Sequence, residues 1–398
     1  MAKRPLILAV DVGTTKVSAL VGEVRTDGDL TVLGIAATPV VGMRRGLVFE
    51  MERVALAIRD AVNRANSMAG TDLSHAAVAV NGDHLAMTAG QARMSLKTGT
   101  VRQEDLAQVM RRAAQSRQDP DREVVEVLPH GLAVDGFRGV SDPVGMIARE
   151  LEMDVWVVSG LTTVLRNLRR VLTMAGVTPV VWVPAPRASA DGVLSLEEKK
   201  VGVVHLDIGG GTTGITLYRG GQLEYLGIVP LGGESITSDL SVGLGVVSTQ
   251  AERLKLEYAA VGAEREGTVE VRAVSGQSVK VIPVKELEEI VAARVEEWTQ
   301  FVEQHLARLE WPKAPGAGVV MTGGGSLLKG LPSYLEQRWG WPVRLGVPGG
   351  LGGLSDLSRS PGYAVVVGVA RNGRQAGAEA PRESWLRQLI QFWLNLWN

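Results

Sequence analysis

The chain has 398 residues, of which 45% are hydrophobic and 21% charged, and its formal net charge at pH 7 is −1. That length leaves room for two or more globular domains, and the near-zero charge argues against a nucleic-acid-binding protein. Because the chain has no cysteine, disulfides and thiolate metal sites are excluded, and a reducing cytosol is the expected compartment.

Two segments of the chain follow one plan, in which an apolar strand runs through a Gly- and Thr-rich turn into a second strand. The first strands cover residues 6–10 and 201–206, and each ends in an aspartate. Glycines let backbone N–H groups approach phosphate oxygens, threonine hydroxyls add donors, and each aspartate is suited to a hydrated Mg²⁺. The predicted phosphate-binding residues are Asp11, Gly13, Thr14, Thr15 and Lys16 in the first turn, and Asp207, Gly209, Gly210, Gly211, Thr212 and Thr213 in the second.

The second turn also matches the glycine spacing of a dinucleotide-binding fingerprint, through Gly209, Gly211 and Gly214. That fingerprint has to open a helix. Here the residues that follow alternate in polarity and include Ile215 and Leu217, a pattern that predicts a strand. We therefore reject the dinucleotide interpretation.

Two further segments have features of a base- or sugar-binding site. Glu252 and Lys255 lie one turn apart on a predicted helix, where the alternative interpretation is a solvent-exposed ion pair. Residues 318–322 form an apolar strand that leads through Gly323, Gly324, Gly325 and Ser326 into a helical pattern. A helix N-terminus preceded by small residues suits a base or a phosphate.

Residues 385–398 predict an amphipathic helix at a membrane surface. The polar side chains fill one arc of the helix and the apolar ones the rest, but the segment is shorter than the roughly 20 residues that span a bilayer. The alternative is a terminal helix docked on the protein's own core, which the tether-like composition of residues 371–383 disfavours. The predicted membrane-contacting residues are Trp385, Leu386, Leu389, Ile390, Phe392, Trp393, Leu394, Leu396 and Trp397.

Together these segments resemble the actin-like ATPase superfamily and, within it, the FtsA family, which ties the bacterial division ring to the membrane. The resemblance covers essentially the whole chain and is strongest in residues 124–146, 232–255 and 319–353 and at 361–363. It implies an α/β fold with two ribonuclease-H-like domains around a nucleotide cleft, an inserted subdomain in each half and a C-terminal amphipathic helix.

The resemblance also implies domain boundaries. The first ribonuclease-H-like domain covers residues 1–81 and 161–195, with an FtsA-specific subdomain inserted at 82–160. The second covers residues 196–245 and 316–370, with a subdomain inserted at 246–315 and a last helix that packs back on the first domain. Residues 371–383 are expected to form a linker and residues 384–398 the membrane helix.

Several ligand and partner roles follow from the same resemblance. ATP with Mg²⁺ is expected in the cleft, with the metal at Asp11 and Asp207. Gly233 is expected to bind the nucleotide, the loop Gly323–Ser326 its adenosine, and Glu252 and Lys255 the ribose. Lys285 and Arg294 are expected to bind the C-terminal peptide of FtsZ; the alternative is that both are ordinary solvated helix charges.

The family pattern further implies self-association into filaments, contacts with other divisome proteins and a peripheral location on the cytoplasmic face of the inner membrane at the septum.

The chain departs from the family pattern at two positions. Gly214 stands where the family usually has Asp, and Ala185 stands where Glu is common. Since positioning an attacking water usually needs such carboxylates, we expect slow or negligible ATP hydrolysis. Two rival functions remain: a pilus-assembly relative, which the predicted membrane helix disfavours, and a small-molecule kinase, for which no further catalytic carboxylate is evident.

Overall fold

The computed structural model describes residues 6–24, 29–97, 99–116, 119–140, 142–262, 265–272, 279–308 and 314–373. The nine predicted membrane-contacting residues and nearly all of the predicted linker lie outside these ranges. None of the described helices combines the length and hydrophobicity that crossing a bilayer needs.

The elements of the first part of the chain, up to residue 201, form one large sheet, one four-stranded sheet, the two-stranded sheet β4-β5 and the helices that cover them. In chain order they are β1 (Leu6–Val12), β2 (Lys16–Val24), β3 (Leu30–Pro39), β4 (Met43–Arg44), β5 (Leu47–Val48), α1 (Met51–Ala69), β6 (His75–Val80), β7 (Ala86–Ser95), α2 (Gln103–Gln115), β8 (Arg122–Val134), β9 (Phe137–Arg138), β10 (Glu150–Leu161), α3 (Thr162–Met174), β11 (Thr178–Pro184), α4 (Ala185–Val193) and α5 (Leu196–Val201).

Most of the remaining elements form a second large sheet with its own helices. The last of them pack against the first large sheet. In chain order these elements are β12 (Val203–Ile208), β13 (Thr213–Arg219), β14 (Gln222–Val229), α6 (Gly233–Leu244), α7 (Ser248–Tyr258), β15 (Thr268–Arg272), β16 (Val279–Pro283), α8 (Val284–Leu306), β17 (Val319–Thr322), α9 (Leu331–Trp339), β18 (Val343–Leu345), β19 (Leu351–Gly353), α10 (Ser355–Ser358) and α11 (Ala364–Asn372).

Five strands of each large sheet have the same topology, and the first sheet has β19 as an additional edge strand. The strand orders of the two sheets are β11-β6-β1-β2-β3-β19 and β14-β13-β12-β17-β18. In each, the first strand pairs antiparallel with the next strand and parallel with a later one, as β1 does with β2 and β6, and β12 with β13 and β17. Both predicted strand–turn–strand units are therefore present, and Gly214 lies in a strand. The repeated topology puts both turns at equivalent corners of their sheets.

Helix α1 covers one face of the first sheet and shows how closely the layers pack. Its buried residues Val54, Ile58, Ala61 and Ala65 recur every three to four positions, which is the spacing of one helix face. Opposite them, a Cβ at Gly34 would lie 2.1 Å from the carbonyl oxygen of Ala65. Only glycine permits this approach of β3 to the helix.

The smaller sheet, with order β7-β10-β8-β9, carries α2 on one face. The helix buries Leu106, Val109, Met110 and Ala113 against it. From this sheet, Leu128 packs against a core cluster of the second half that includes Tyr218 and Leu223. The inserted sheet therefore contacts both halves.

Helices α4 and α11 cross where the two halves join. A Cβ at Gly368 would lie 1.6 Å from the carbonyl oxygen of Ala188, and one at Gly192 would lie 2.4 Å from that of Ala364. The two helices therefore pack backbone to backbone, which leaves little freedom for either to slide.

A buried network of charges joins these helices to their surroundings. Arg187 Nη1 on α4 donates to Glu126 Oε1 on β8 at 2.5 Å, and Arg187 also lies 3.5 Å from Asp191. Asp191 accepts from Lys199 Nζ on α5 at 2.5 Å and from Asn372 Nδ2 on α11 at 2.9 Å. Burial favours a raised pKa for Asp191, but the charges of Lys199 and Arg187 outweigh it and hold that pKa well below its usual range. The network therefore stabilises the junction as a set of charged groups.

Replacing Arg187 with Met should lower the free energy of unfolding by about 3–5 kcal/mol, because Glu126 would stay buried without its cationic partner. Denaturant unfolding measures the change. The matched control is Arg93→Met, since Arg93 pairs with Glu150 and Glu152 while 68% of its side chain is exposed, and its loss should leave the stability close to that of the wild type. Equal losses in the two variants would contradict the structural role of the network.

Candidate functional site

The two Gly- and Thr-rich turns lie against each other where the halves meet. A Cβ at Gly211 would lie 2.6 Å from Thr14 Oγ1, and one at Gly210 would lie 2.6 Å from Thr15 Cγ2. Side chains at these two positions would therefore push the turns apart. The arrangement brings together the donors of both predicted phosphate loops.

The two turns are also alike in their backbone hydrogen bonds. The N–H of Gly13 donates to the carbonyl of Lys16 at 3.0 Å, and the N–H of Gly209 donates to that of Thr212 at 2.9 Å. Each bond spans three residues and closes its turn between two antiparallel strands. The sequence repeat therefore corresponds to a repeated local structure.

Asp11 lies near the turn end of β1 and Asp207 near the turn end of β12, and the pKa of each carboxyl is shifted. Burial raises the pKa of Asp11 to about 6, although the charge of Lys16 opposes this shift. Burial and the negative charge of Asp11 raise the pKa of Asp207 to about 7, against a hydrogen bond from Ser189 and the charge of Lys16. The two carboxylates repel each other in a buried setting.

This pair fits a divalent cation that keeps part of its water shell. Mg²⁺ is commonly bound by one or two carboxylates together with substrate phosphates and waters. Among the described residues, no group of three or more His, Cys, Asp or Glu could hold a metal ion alone. A cation at Asp11 and Asp207 would therefore need ligand oxygens from water or phosphate, and it would relieve the repulsion between them.

The side chain of Lys255 is anchored beside the second turn. Its Nζ donates to the Gly233 carbonyl at 3.0 Å, to Thr237 Oγ1 at 2.8 Å and to Glu252 Oε2 at 2.7 Å. Only 14% of the Lys255 side chain is exposed, against 44% for Glu252. In turn, the N–H of Gly233 donates to the Gly209 carbonyl at 2.9 Å. The alternative of a solvent-exposed pair therefore does not describe Lys255, whose partners connect it to the phosphate turn.

The glycine loop after β17 lies next to Asp207. Gly323 has a φ of +83°, and a Cβ there would lie 2.6 Å from Asp207 Oδ1, so both backbone conformation and space require glycine. Buried Ser326 donates through Oγ to the Gly323 carbonyl at 2.7 Å. A Cβ at Gly324 would meet no atom within 4 Å. The loop is therefore closely packed on its Asp207 side, whereas there is space for a side chain at Gly324.

Gly233 and Gly325 face each other across this part of the site. A Cβ at Gly233 would lie 3.6 Å from Lys255 Nζ and 3.8 Å from the Cα of Gly325. These predicted nucleotide-binding residues thus lie close to one another and to the second phosphate turn.

The sequence alone did not identify every polar residue at the site. Asn81 Nδ2 donates to Thr212 Oγ1 at 3.0 Å across the two halves, and Trp298 Nε1 donates to Thr213 Oγ1 at 2.8 Å. Asn81 directly follows the buried strand β6. Because ligands often bind at strand ends in α/β folds, this position could have indicated a site residue. Trp298 belongs to a distant helix, and no local pattern links it to the turn.

The two departures from the family pattern lie beside each other. A Cβ at Gly214 would lie 2.7 Å from Cγ of Pro186, so the proline ring occupies the space that a side chain at position 214 would need. Ala185, the first residue of α4, is buried. The structure therefore places no carboxylate at either position.

The two predicted partner-binding residues lie far apart on α8. Lys285 and Arg294 are nine positions apart, or about 13 Å along the helix axis, and Lys285 is exposed. Arg294 binds Asp239 of α6 with two hydrogen bonds, at 2.5 and 2.9 Å, and also contacts Glu297. A small apolar pocket, lined in part by Ile236, Val295 and Trp298, adjoins Arg294. The structure thus gives Arg294 an acidic partner within its own chain.

The fold belongs to the actin-like class. Similar solved structures include the PilM–PilN type IV pilus biogenesis complex (TM-score 0.65, 18% identity, 94% of this chain and 99% of that chain) and MreB5 of Spiroplasma citri bound to ADP (0.55, 13%, 94% and 97%). The MamK double helical filament is also similar (0.54, 15%, 94% and 99%). At these identities the similarity concerns the fold, and it confirms the predicted actin-like α/β architecture.

Sequence comparisons give the family. The model for cell division protein FtsA matches residues 204–368, and the model for the SHS2 domain inserted in FtsA matches residues 82–159. Relatives named cell division protein FtsA come from Neisseria meningitidis serogroup B (33% identity, 91% of this chain and 89% of the relative) and Pseudomonas aeruginosa (32%, 93% and 89%). The chain belongs to the FtsA family of cell-division proteins. Its predicted family resemblance is confirmed.

Replacing Asp207 with Asn should stabilise the ligand-free protein at pH 8. A carboxyl whose pKa is raised on folding contributes stability at low pH and loses it as the pH rises from about 4 to about 7. The neutral amide avoids that loss, so the variant should gain at least about 1 kcal/mol over the wild type at pH 8, since one pKa unit corresponds to about 1.4 kcal/mol.

Urea unfolding at pH 5 and pH 8 checks this, with Asp356→Asn as an exposed control. The stability gap between Asp207→Asn and wild type should widen with pH, while the control shows no such trend. If the variant and the wild type differed in unfolding free energy by the same amount at both pH values, folding would not raise the pKa of Asp207.

Proposed function

We propose that this protein binds Mg-ATP between its two halves and acts as a membrane-anchored actin-like adaptor that tethers FtsZ filaments at the division septum. Family membership supports the role in division. The observation that carries the nucleotide site is the pair of matching turns, which lie against each other, each beside an aspartate whose pKa is raised by burial. Symmetric donors and two carboxylates whose charges are only partly compensated suit a phosphate chain with its metal.

In the proposed complex, Mg²⁺ neutralises charge on the phosphates when it is bound at Asp11 and Asp207. The backbone N–H groups and threonine hydroxyls of both turns, with Lys16, bind the phosphate oxygens. Gly233, Glu252, Lys255 and the Gly323–Ser326 loop surround the adenosine. Solved MreB5 structures of the same fold are described as bound to ADP and to AMPPNP, which supports a nucleotide in this cleft.

Hydrolysis in this complex is slow or negligible. The carboxylates that the family usually carries at positions 185 and 214 are missing, and Pro186 fills the space beside Gly214. Without a carboxylate to orient water, bound ATP serves to set the conformation of the two halves.

The adaptor role combines polymerisation with membrane binding. Burying the nine apolar side chains of residues 385–398 is worth about 13–27 kcal/mol, whereas ordering fourteen residues costs about 14–28 kcal/mol. A single tail therefore binds lipid weakly, and a filament that presents many tails binds strongly. The MamK filament supports self-association in this fold class. In this proposal the protein binds to the cytoplasmic face of the inner membrane.

Alanine at Asp11 or Asp207 should weaken binding of Mg-ATP much more than binding of metal-free ATP, because the carboxylates act on the ion. Titration calorimetry with and without Mg²⁺ measures both affinities. Wild-type phosphate release should stay close to background. Equal losses with and without metal would assign both aspartates a purely structural role, and steady turnover would contradict the proposed effect of Gly214 and Ala185.

Trp393→Glu should abolish binding to anionic vesicles, since it puts a charge in the middle of the apolar arc. Gln391→Glu is the matched control, because it adds the same charge to the middle of the polar arc. Co-sedimentation measured against protein concentration should rise steeply for wild type and for the control. Equal loss of binding in both variants would attribute the effect to net charge alone.

Arg294→Glu should lower the affinity for an FtsZ C-terminal peptide at least about tenfold, or about 1.4 kcal/mol, because a guanidinium grips a carboxylate with two bonds. Asp239 already occupies that guanidinium. Asp239→Asn should therefore tighten peptide binding by removing the competitor.

Fluorescence anisotropy with a labelled peptide measures these affinities. Arg338→Glu is the control, since Arg338 is also paired through two nitrogens, with Glu303, but lies on α9. Peptide binding that Arg294→Glu leaves intact would place the peptide elsewhere on the surface.

A further inference from the structure

A short turn before the last helix connects both ends of the proposed nucleotide site. The turn Pro361–Tyr363 lies between α10 and α11. The Pro361 carbonyl accepts from the Gly323 N–H at 3.3 Å and from Thr322 Oγ1 at 3.3 Å. The first residue of this turn is therefore bound to the loop that is proposed to contact adenosine.

The other two residues of the turn hold the side chain of Lys16. The Lys16 ammonium lies 4.3 Å from the centroid of the Tyr363 ring, within the range of a cation–π contact. A Cβ at Gly362 would lie 2.9 Å from Lys16 Nζ, so the absence of a side chain there leaves room for the ammonium. The Lys16 ammonium therefore lies between the Tyr363 ring and the backbone of Gly362, which has no side chain.

The position of Lys16 matters because it begins β2 directly after the first turn. A lysine side chain has many rotamers, and a flexible cation binds a ligand less well than one that is already oriented. The ring of Tyr363 attracts the ammonium without consuming its hydrogen-bond donors, which an aspartate or a carbonyl would do. The contact with the ring therefore leaves the N–H groups of Lys16 able to bind an anion.

We propose that Tyr363 is a positioning residue, whose ring orients the Lys16 ammonium for the phosphate groups of a nucleotide. Through Pro361 the same turn also binds the Gly323 loop. It therefore fixes the position of the phosphate end of the site relative to the adenosine end. This inference rests on the proposed nucleotide-binding function. It does not concern adenosine alone, which has no phosphate for Lys16 to contact.

A purely structural role for the ring is the alternative, since Tyr363 also packs on a core cluster of the first half. Three variants separate the two roles. Tyr363→Phe keeps the ring and the packing. Tyr363→Leu keeps apolar packing but removes the π face. Gly362→Ala leaves the ring untouched and adds a methyl group where the ammonium lies.

The experiment is a calorimetric titration of each full-length variant with Mg-ATP and with adenosine, combined with denaturant unfolding. Tyr363→Phe should bind Mg-ATP as wild type does. Tyr363→Leu and Gly362→Ala should each lose about three- to tenfold in Mg-ATP affinity, with adenosine affinity unchanged. In a Lys16→Met background, Tyr363→Leu should cause no further loss.

Each other result decides against a specific statement. Equal losses for Mg-ATP and adenosine, or a loss that persists in the Lys16→Met background, would assign Tyr363 a structural role only. If Tyr363→Leu does not fold, Gly362→Ala carries the test alone, and unchanged Mg-ATP affinity in it would overturn the proposal. If wild type binds neither ligand, the nucleotide function itself fails. If the wild type binds Mg-ATP and all three variants bind it equally well, only the proposed role of Tyr363 is overturned.

Discussion

The repulsion between the carboxylates of Asp11 and Asp207 is the constraint on which the rest of the site depends. Each carboxylate lies near the turn end of an inner strand of its own sheet, so the duplicated topology itself brings two like charges to the boundary between the halves. Lys16 compensates them in part, and it is itself buried enough that its pKa is lowered. A bound divalent cation would offset the remaining repulsion and favour the closed arrangement of the turns.

The buried charges at the junction of α4 and α11 illustrate the opposite solution. There Asp191 is surrounded by Lys199, Arg187 and Asn372, and its pKa is held low. Negative charge is fully compensated where the halves have to stay joined, and it is only partly compensated where a ligand is proposed to bind. This difference in charge compensation distinguishes the structural junction from the candidate site.

The local parts of this arrangement followed from the sequence. Strand periodicity and the Gly- and Thr-rich segments predicted both turns of the candidate site, because such turns are determined by residues that are close together in the chain. The contacts of Asn81, Pro186 and Tyr363 did not follow, since each depends on how separate elements pack. The pairing of Arg294 with Asp239 was missed for the same reason, as 55 positions of chain separate the two residues.

The most direct test is the number of protons released when preformed Mg-ATP binds. Burial holds the pKa of Asp11 at about 6 and that of Asp207 at about 7, so at pH 6.5 a cation has to displace protons from these carboxylates. Calorimetry in two buffers of different ionisation enthalpy measures this number. We predict net proton release at pH 6.5 and none at pH 8.5. The same number of protons at both pH values would contradict a metal-nucleotide site built on these two aspartates.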